Sequence, residues 1–138
     1  MPKLIDGAPS VADYRMLRES TGLSPKSEEA AVAGLAGGLF AVTLRDGDKA
    51  IGMGRIIGDG GCHYQVVDIA VLPTYQGQGW GAAIMERLMA WVDAHVPDTG
   101  YISLIADGDA KHLYAKYGFQ DTAPASIGMA KKIKKEQS

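Results

Sequence analysis

Apolar and polar positions recur along the chain with two periods, and the switches between them outline its elements. Val11, Tyr14, Met16 and Leu17 fall near helical spacing, which predicts a helix over Val11–Ser20 with Ser10 as N-cap. Ser24-Pro25-Lys26-Ser27 interrupts it, and Ser27-Glu28-Glu29 opens a second short helix running to about Gly34. After Gly37-Gly38 the pattern becomes extended. Leu39–Leu44 reads as a strand, Asp46-Gly47 as a hairpin turn, and Ala50–Ile57 as the returning strand despite Gly52 and Gly54. Asp59-Gly60-Gly61 is a second turn, and His63–Val71 is a strand ended by Pro73. The clearest helical period covers Gly79–His95, where Trp80, Ile84, Leu88, Trp91 and His95, flanked by Ala83 and Val92, share one face. Tyr101–Ala106 has the composition of a buried strand. Asp109–Tyr117 reads as a short helix stopped by Gly118, with Phe119–Thr122 and Ser126–Ile133 as closing strands.

A strand–helix–strand unit beside a meander predicts an α/β (α+β) fold: a mixed, mostly antiparallel sheet with helices on both faces. A length of 138 residues fits one domain over residues 1–138. The formal net charge of −2 gives no basic field for nucleic acid. The cluster Lys131, Lys132, Lys134 and Lys135 reads as a solvated end. Cys62 is alone, which supports neither a disulfide within the chain nor a thiolate metal site and fits a reducing cytoplasm. His63, His95 and His112 share no ligand spacing, so no metal is expected. No apolar run approaches the roughly 18 residues of a membrane span.

The densest chemical signal is Gln76-Gly77-Gln78-Gly79-Trp80-Gly81-Ala82, between a strand and a helix. Glycines let a ligand approach the backbone closely, and the first helical turn offers unpaired N–H groups at a positive dipole end. Such a turn suits a phosphate, although it also serves simply to turn a chain. Gly77-x-Gly79-x-x-Ala82 matches a dinucleotide fingerprint in letters. That motif follows its strand directly within a two-part domain, whereas Leu72–Gln76 intervene here and the remaining chain is too short. A P-loop is excluded by the absence of Gly-Lys-Ser/Thr.

The turn resembles the Gln/Arg-x-x-Gly-x-Gly/Ala signature of GNAT-superfamily N-acetyltransferases, following a strand Val66-Val67-Asp68-Ile69-Ala70-Val71-Leu72-Pro73 like that family's central strand. Leu113-Tyr114-Ala115-Lys116-Tyr117-Gly118-Phe119 resembles its second signature, in the right order and at compatible spacing. The resemblance implies acetyl-CoA as cosubstrate, with Gln76, Gly77, Gln78, Gly79, Trp80, Gly81 and Ala82 cradling its pyrophosphate. It implies a central strand splayed from Tyr101–Ala106, with Ile69, Ala70 and Val71 along the pantetheine. The Ile69 amide becomes the candidate oxyanion donor and Tyr114 the candidate acid for the departing thiolate. By itself Tyr114 reads rather as a packed aromatic on a helix, and the second signature is what turns the reading to catalysis. Many members carry Asn where this chain has Asp107, so Asp107 either contacts the cofactor differently or caps a helix at Ala110.

An alkylamine attacks only as the neutral base, so a proton acceptor or a water path is required. Some relatives place Glu where this chain has Gln65, which cannot serve. Asp68 is the nearest carboxylate, read either as that base or as a buried structural acid. Strand alternation places it with Tyr64, Val66 and Ala70 on one face. His63 and His112 are weaker candidates, and Cys62 lacks a partner histidine for an acyl-enzyme route. The expected partner is a small-molecule primary amine, with a homodimer open. Asp13, Glu19, Glu28 and Glu29 either attract a cationic acceptor or are solvated helix charges. The stretch from Asp68 to Met129 also resembles plant-type serotonin N-acetyltransferases, which adds an arylalkylamine or polyamine acceptor to the expectations. A non-catalytic CoA-binding sensor or interaction module on the same fold is the second reading.

Overall fold

The computed structural model describes residues 1–135. Its elements are β1 (Lys3–Asp6), α1 (Val11–Ser20), α2 (Glu28–Ala36), β2 (Phe40–Asp46), β3 (Lys49–Gly58), β4 (His63–Val71), α3 (Trp80–His95), β5 (Tyr101–Ser103) and α4 (Lys111–Ala115). Short 3₁₀ turns, Pro73–Tyr75 and Gly108–Ala110, precede α3 and α4. The sheet runs β1-β2-β3-β4-β5, antiparallel except for the parallel β4–β5 pair. No helix among the described residues is long and apolar enough to cross a membrane.

The caps read from the sequence form as expected. The Ser10 and Ser27 hydroxyls accept from the amides of Asp13 and Ala30, each satisfying a first-turn donor. Each sheet face then buries its own core. Tyr14, Leu17, Ile51, Met53 and Ala70 pack beneath α1 and α2, while Val42, Ile56, Tyr64, Val66, Ile84 and Leu88 pack beneath α3.

The structure differs from the expected elements at both ends of the chain. β1, which no pattern in the sequence marks, pairs with β2 from Lys3↔Arg45 to Asp6↔Val42. Arg87 on α3 holds its end by two hydrogen bonds to the Asp6 carboxylate, at 3.0 and 2.7 Å. The strand expected over Tyr101–Ala106 pairs only as far as Ser103, and the helix expected over Asp109–Tyr117 is helical only at Lys111–Ala115. Phe119–Thr122 and Ser126–Ile133 form no strands, and no segment among the described residues pairs with them.

Gly52 and Gly54 weaken β3 locally and are required by packing. A Cβ on Gly54 would lie 2.6 Å from Ile84 Cγ2 and 2.8 Å from Ile69 Cδ1, so α3 could not sit this close to the sheet. Gly54→Val should therefore destabilise the protein by about 1–3 kcal/mol through overpacking. Urea unfolding would show a lower midpoint at unchanged slope, and an unaltered midpoint would refute the packing argument.

Candidate active site

The site begins with an irregularity in β4. Met53 pairs with Ala70 and Arg55 with Val67, so Gly54 alone stands opposite two residues, Asp68 and Ile69. This is a β-bulge, and Asp68 takes a left-handed φ of 60°. The extra residue exchanges the faces. Tyr64 and Val66 point towards α3, whereas Asp68 and Ala70 point towards α1 and α2, and Ile69 packs on the α3 side. The single face predicted for Tyr64, Val66, Asp68 and Ala70 is thus corrected.

Asp68 ends in a buried polar cluster. Its carboxylate accepts the Tyr14 hydroxyl at 2.8 Å, Arg55 Nε at 2.9 Å and Arg18 Nη1. The side chains of Arg18, Arg55 and Asp68 are each over nine-tenths buried. Arg18 also donates to the Ser24 carbonyl and hydroxyl, and Arg55 to the Gly34 carbonyl, which ties α1, α2 and β3 to the bulge. Burial, then the hydrogen bond to Asp68, raises the Tyr14 pKa, so its phenol keeps its proton as the donor. Sequence reasoning missed both arginines. Arg55 had one signal, a charge within the apolar run Gly54–Ile57, whereas Arg18, followed by Glu19, had none.

β4 and β5 pair only at His63↔Tyr101, Tyr64↔Ile102 and Gln65↔Ser103. From Val66 to Val71 the outer edge of β4 has no strand partner among the described residues, which is the splay anticipated from the sequence. Ile69, Ala70 and Val71 lie on this stretch. The Val71 carbonyl already accepts the Gln76 side-chain amide at 2.8 Å.

The glycine-rich turn follows. Gly77 and Gly79 are both left-handed, at φ 77° and 87°, and a Cβ on either would meet nothing within 4 Å. Glycine is needed here for backbone conformation, and the space above it is open. The Ala83 amide makes the first helical bond, to the Gly79 carbonyl. Trp80, Gly81 and Ala82 thus present first-turn N–H groups that no side chain caps. A phosphate-bearing ligand fits this donor set and this space. The Trp80 indole packs against both cores, so it is the residue's backbone N–H that belongs to this donor set. Gln76 is engaged elsewhere: its amide N–H donates to the Pro73 carbonyl and its side chain to Val71. Gln78 Nε2 lies 3.4 Å from the Thr74 carbonyl. The Tyr75 hydroxyl, 2.6 Å from Asp46, anchors the turn leading into the cradle.

The second signature docks on the first. The Tyr117 hydroxyl donates to the Ala82 carbonyl at 3.0 Å, and Leu113 lies against Gly81. Tyr114 is half-buried beside this junction, and its pKa is raised first by burial and then by the charge of Asp107. Asp107 is exposed; its carbonyl takes the Ala110 amide, while its side chain caps nothing. His63 and Cys62 are exposed at the far end of β4, and His112 is exposed on α4. Glu19, Glu28 and Glu29 are also exposed. Among the described residues no group of three or more His, Cys, Asp or Glu is placed to hold a metal.

A family model described as an acetyltransferase (GNAT) domain matches residues 36–121, which takes in the bulge, the cradle and the second signature. The chain belongs to the GNAT acetyltransferase family. A probable acetyltransferase from meticillin-resistant Staphylococcus aureus is 50% identical, with a TM-score of 0.92 over 96% of this GNAT chain and 100% of its own. A histone acetyltransferase from Glycine max is 35% identical over 81 residues, 59% of this chain and 34% of its own length. A chloroplastic serotonin N-acetyltransferase from Oryza sativa subsp. japonica is 35% identical over 82 residues, 59% of this chain and 40% of its own length. The chain spans about a third of the length of the first curated relatives it matches.

Proposed function

We propose that this GNAT protein transfers the acetyl group of acetyl-CoA directly to a primary amine. The observation that carries the reading is the continuity of the unpaired β4 edge, Val66–Val71, with the uncapped N-terminus of α3. An extended pantetheine arm can add to the strand edge while its pyrophosphate lies on the first-turn amides. The cradle donors are the amides around Gly77–Ala82, with Gln76 shaping the turn. Ile69, the second residue of the bulge, supplies the N–H for charge developing on the thioester oxygen.

Tyr114 gives its proton to the departing thiolate. The raised pKa suits this role, since an acid must hold its proton until the bond breaks. Asp68 is better read as a positioning residue than as the base, because three donors already occupy its carboxylate and an amine would have to displace one. Proton removal then falls to water in the cleft.

For the acceptor we propose a small arylalkylamine or polyamine-like amine, supported by the serotonin acceptor in the name of the rice relative. The histone acceptor in the soybean relative's name makes a lysine peptide the necessary comparison. Mass spectrometry of acetylated products from a panel of arylalkylamines, polyamines and lysine peptides decides between them. Turnover confined to the peptides would refute the small-amine acceptor.

The pH profile follows from the same roles. As pH rises the acceptor ammonium loses its proton and kcat/KM increases. Tyr114 titrates above the ordinary phenol value of 10.0, so it remains a competent acid throughout the neutral and mildly alkaline range. The profile should rise and level off without a descending limb below about pH 10. A fall centred near pH 8 would assign the acid to another group.

A further inference from the structure

Tyr114 can serve as the acid only if α4 holds it against the thioester, and α4 is lightly anchored. It is a helix of five residues, none of them buried. The strand pair that leads towards it ends at Gln65 and Ser103. From Ile105 to Asp121 the backbone hydrogen bonds, such as Ala110 to Asp107 and Tyr117 to Tyr114, close within the segment. Among the described residues no ion pair joins this segment to the rest of the chain. One hydrogen bond does, from the Tyr117 hydroxyl to the Ala82 carbonyl at 3.0 Å.

The other attachment is apolar. Leu113, Tyr114, Tyr117 and Phe119 pack against the core on the α3 side. Burial of this kind holds a segment down but has no direction, so it does not by itself fix how a short helix is turned. A hydrogen bond does carry direction. Both ends of this one are placed to matter. Ala82 stands in the first turn of α3, and its own amide is one of the cradle donors. Tyr117 follows Tyr114 by three residues, and its amide bonds to the Tyr114 carbonyl at 3.0 Å. The bond thus ties the turn that carries Tyr114 to the turn that receives the pyrophosphate.

We infer that Tyr117 is a positioning residue for acetyl transfer: its hydroxyl sets the reach of Tyr114 to the departing sulfur by fixing α4 to the cradle. The inference rests on the acid role given to Tyr114 above. Tyr117 acts through Tyr114, with its own hydroxyl committed to Ala82. A misplacement of about 1 Å costs on the order of a hundredfold in rate. Loss of the single directed restraint on the acid therefore falls on turnover, while the cradle amides of α3 stay where they are.

Tyr117→Phe tests this, since it removes one oxygen and keeps the ring. kcat should fall about tenfold to a hundredfold, with acetyl-CoA affinity changed by less than about twofold and circular dichroism unaltered. In a Tyr114→Phe background the same substitution should cost less than about twofold, because no acid is left to place. Unchanged kcat in the otherwise wild-type protein would overturn the inference. So would equal fold losses in the two backgrounds, which is the result of a merely structural role. Tyr114→Phe alone reads the acid assignment. Full activity there removes the acid and the positioning role together, whereas a large loss there beside a fully active Tyr117→Phe rejects the positioning role only. Hydrogen exchange adds a readout independent of turnover. In Tyr117→Phe the amides of residues 111–118 should exchange faster while those of 83–92 keep their protection. Equal acceleration in both would show a general loss of stability and would overturn the inference.

Discussion

Replacing Asp68 by alanine should cost about 3–5 kcal/mol of folding stability, because it leaves two buried guanidiniums facing each other without a counter-charge. One carboxylate serves both Arg18 and Arg55, so the two kinds of deletion are unequal. Arg18→Met leaves a neutral Asp68–Arg55 pair and replaces a buried charge with an apolar side chain of similar length. Its cost should be clearly the smaller, although it also gives up the bonds to Ser24. Denaturant unfolding of the two variants measures both. Equal losses, or a greater loss for Arg18→Met, would mean that the cluster is not organised around Asp68. The same comparison bears on catalysis, because Asp68 occupies the bulge that turns Ile69 to the α3 side. In an Asp68 variant that stays folded, the acidic limb of the pH profile should persist with its midpoint unmoved. A residue acting as general base would abolish or shift that limb.

Tyr114→Phe is the largest expected catalytic effect. The substitution keeps the ring, which packs beside the α3–α4 junction, and removes only the proton donor. kcat should fall by about 10²–10⁴ while acetyl-CoA affinity changes little. Initial rates and a binding titration on the same preparation separate the two. Comparable losses in both would mean that the hydroxyl holds ligand rather than donating a proton.

Much of this arrangement was legible from local chemistry. Capping serines, Gly-containing turns and a 3.6-residue period placed α1, α2 and α3, and the run His63–Val71 placed β4 to the residue. Gly77 and Gly79 were legible because left-handed backbone at a helix entrance leaves a direct mark on the sequence. What escaped notice depends on contacts distant along the chain. β1 is four residues with no turn beside it, stabilised by β2 and by Arg87, 81 positions beyond Asp6. The bulge left no signal, since Asp68 is one of the residue types that tolerate positive φ and its reason for doing so lies in Arg18 and Arg55. Alternation therefore assigned its face wrongly. At the C-terminus the alternation in Ser126–Ile133 predicted a strand that does not form, because a pattern does not supply a partner and none of the described residues pairs with it.

The central claim is that the unpaired β4 edge and the α3 cradle together hold acetyl-CoA for direct transfer to an amine. Initial rates of thiol release over a matrix of acetyl-CoA and amine concentrations test it most directly. The account predicts amine-dependent, saturable release, with reciprocal plots that intersect as a ternary complex requires. Binding of acetyl-CoA with no amine-dependent release, or parallel plots of a covalent acyl-enzyme route, would contradict it.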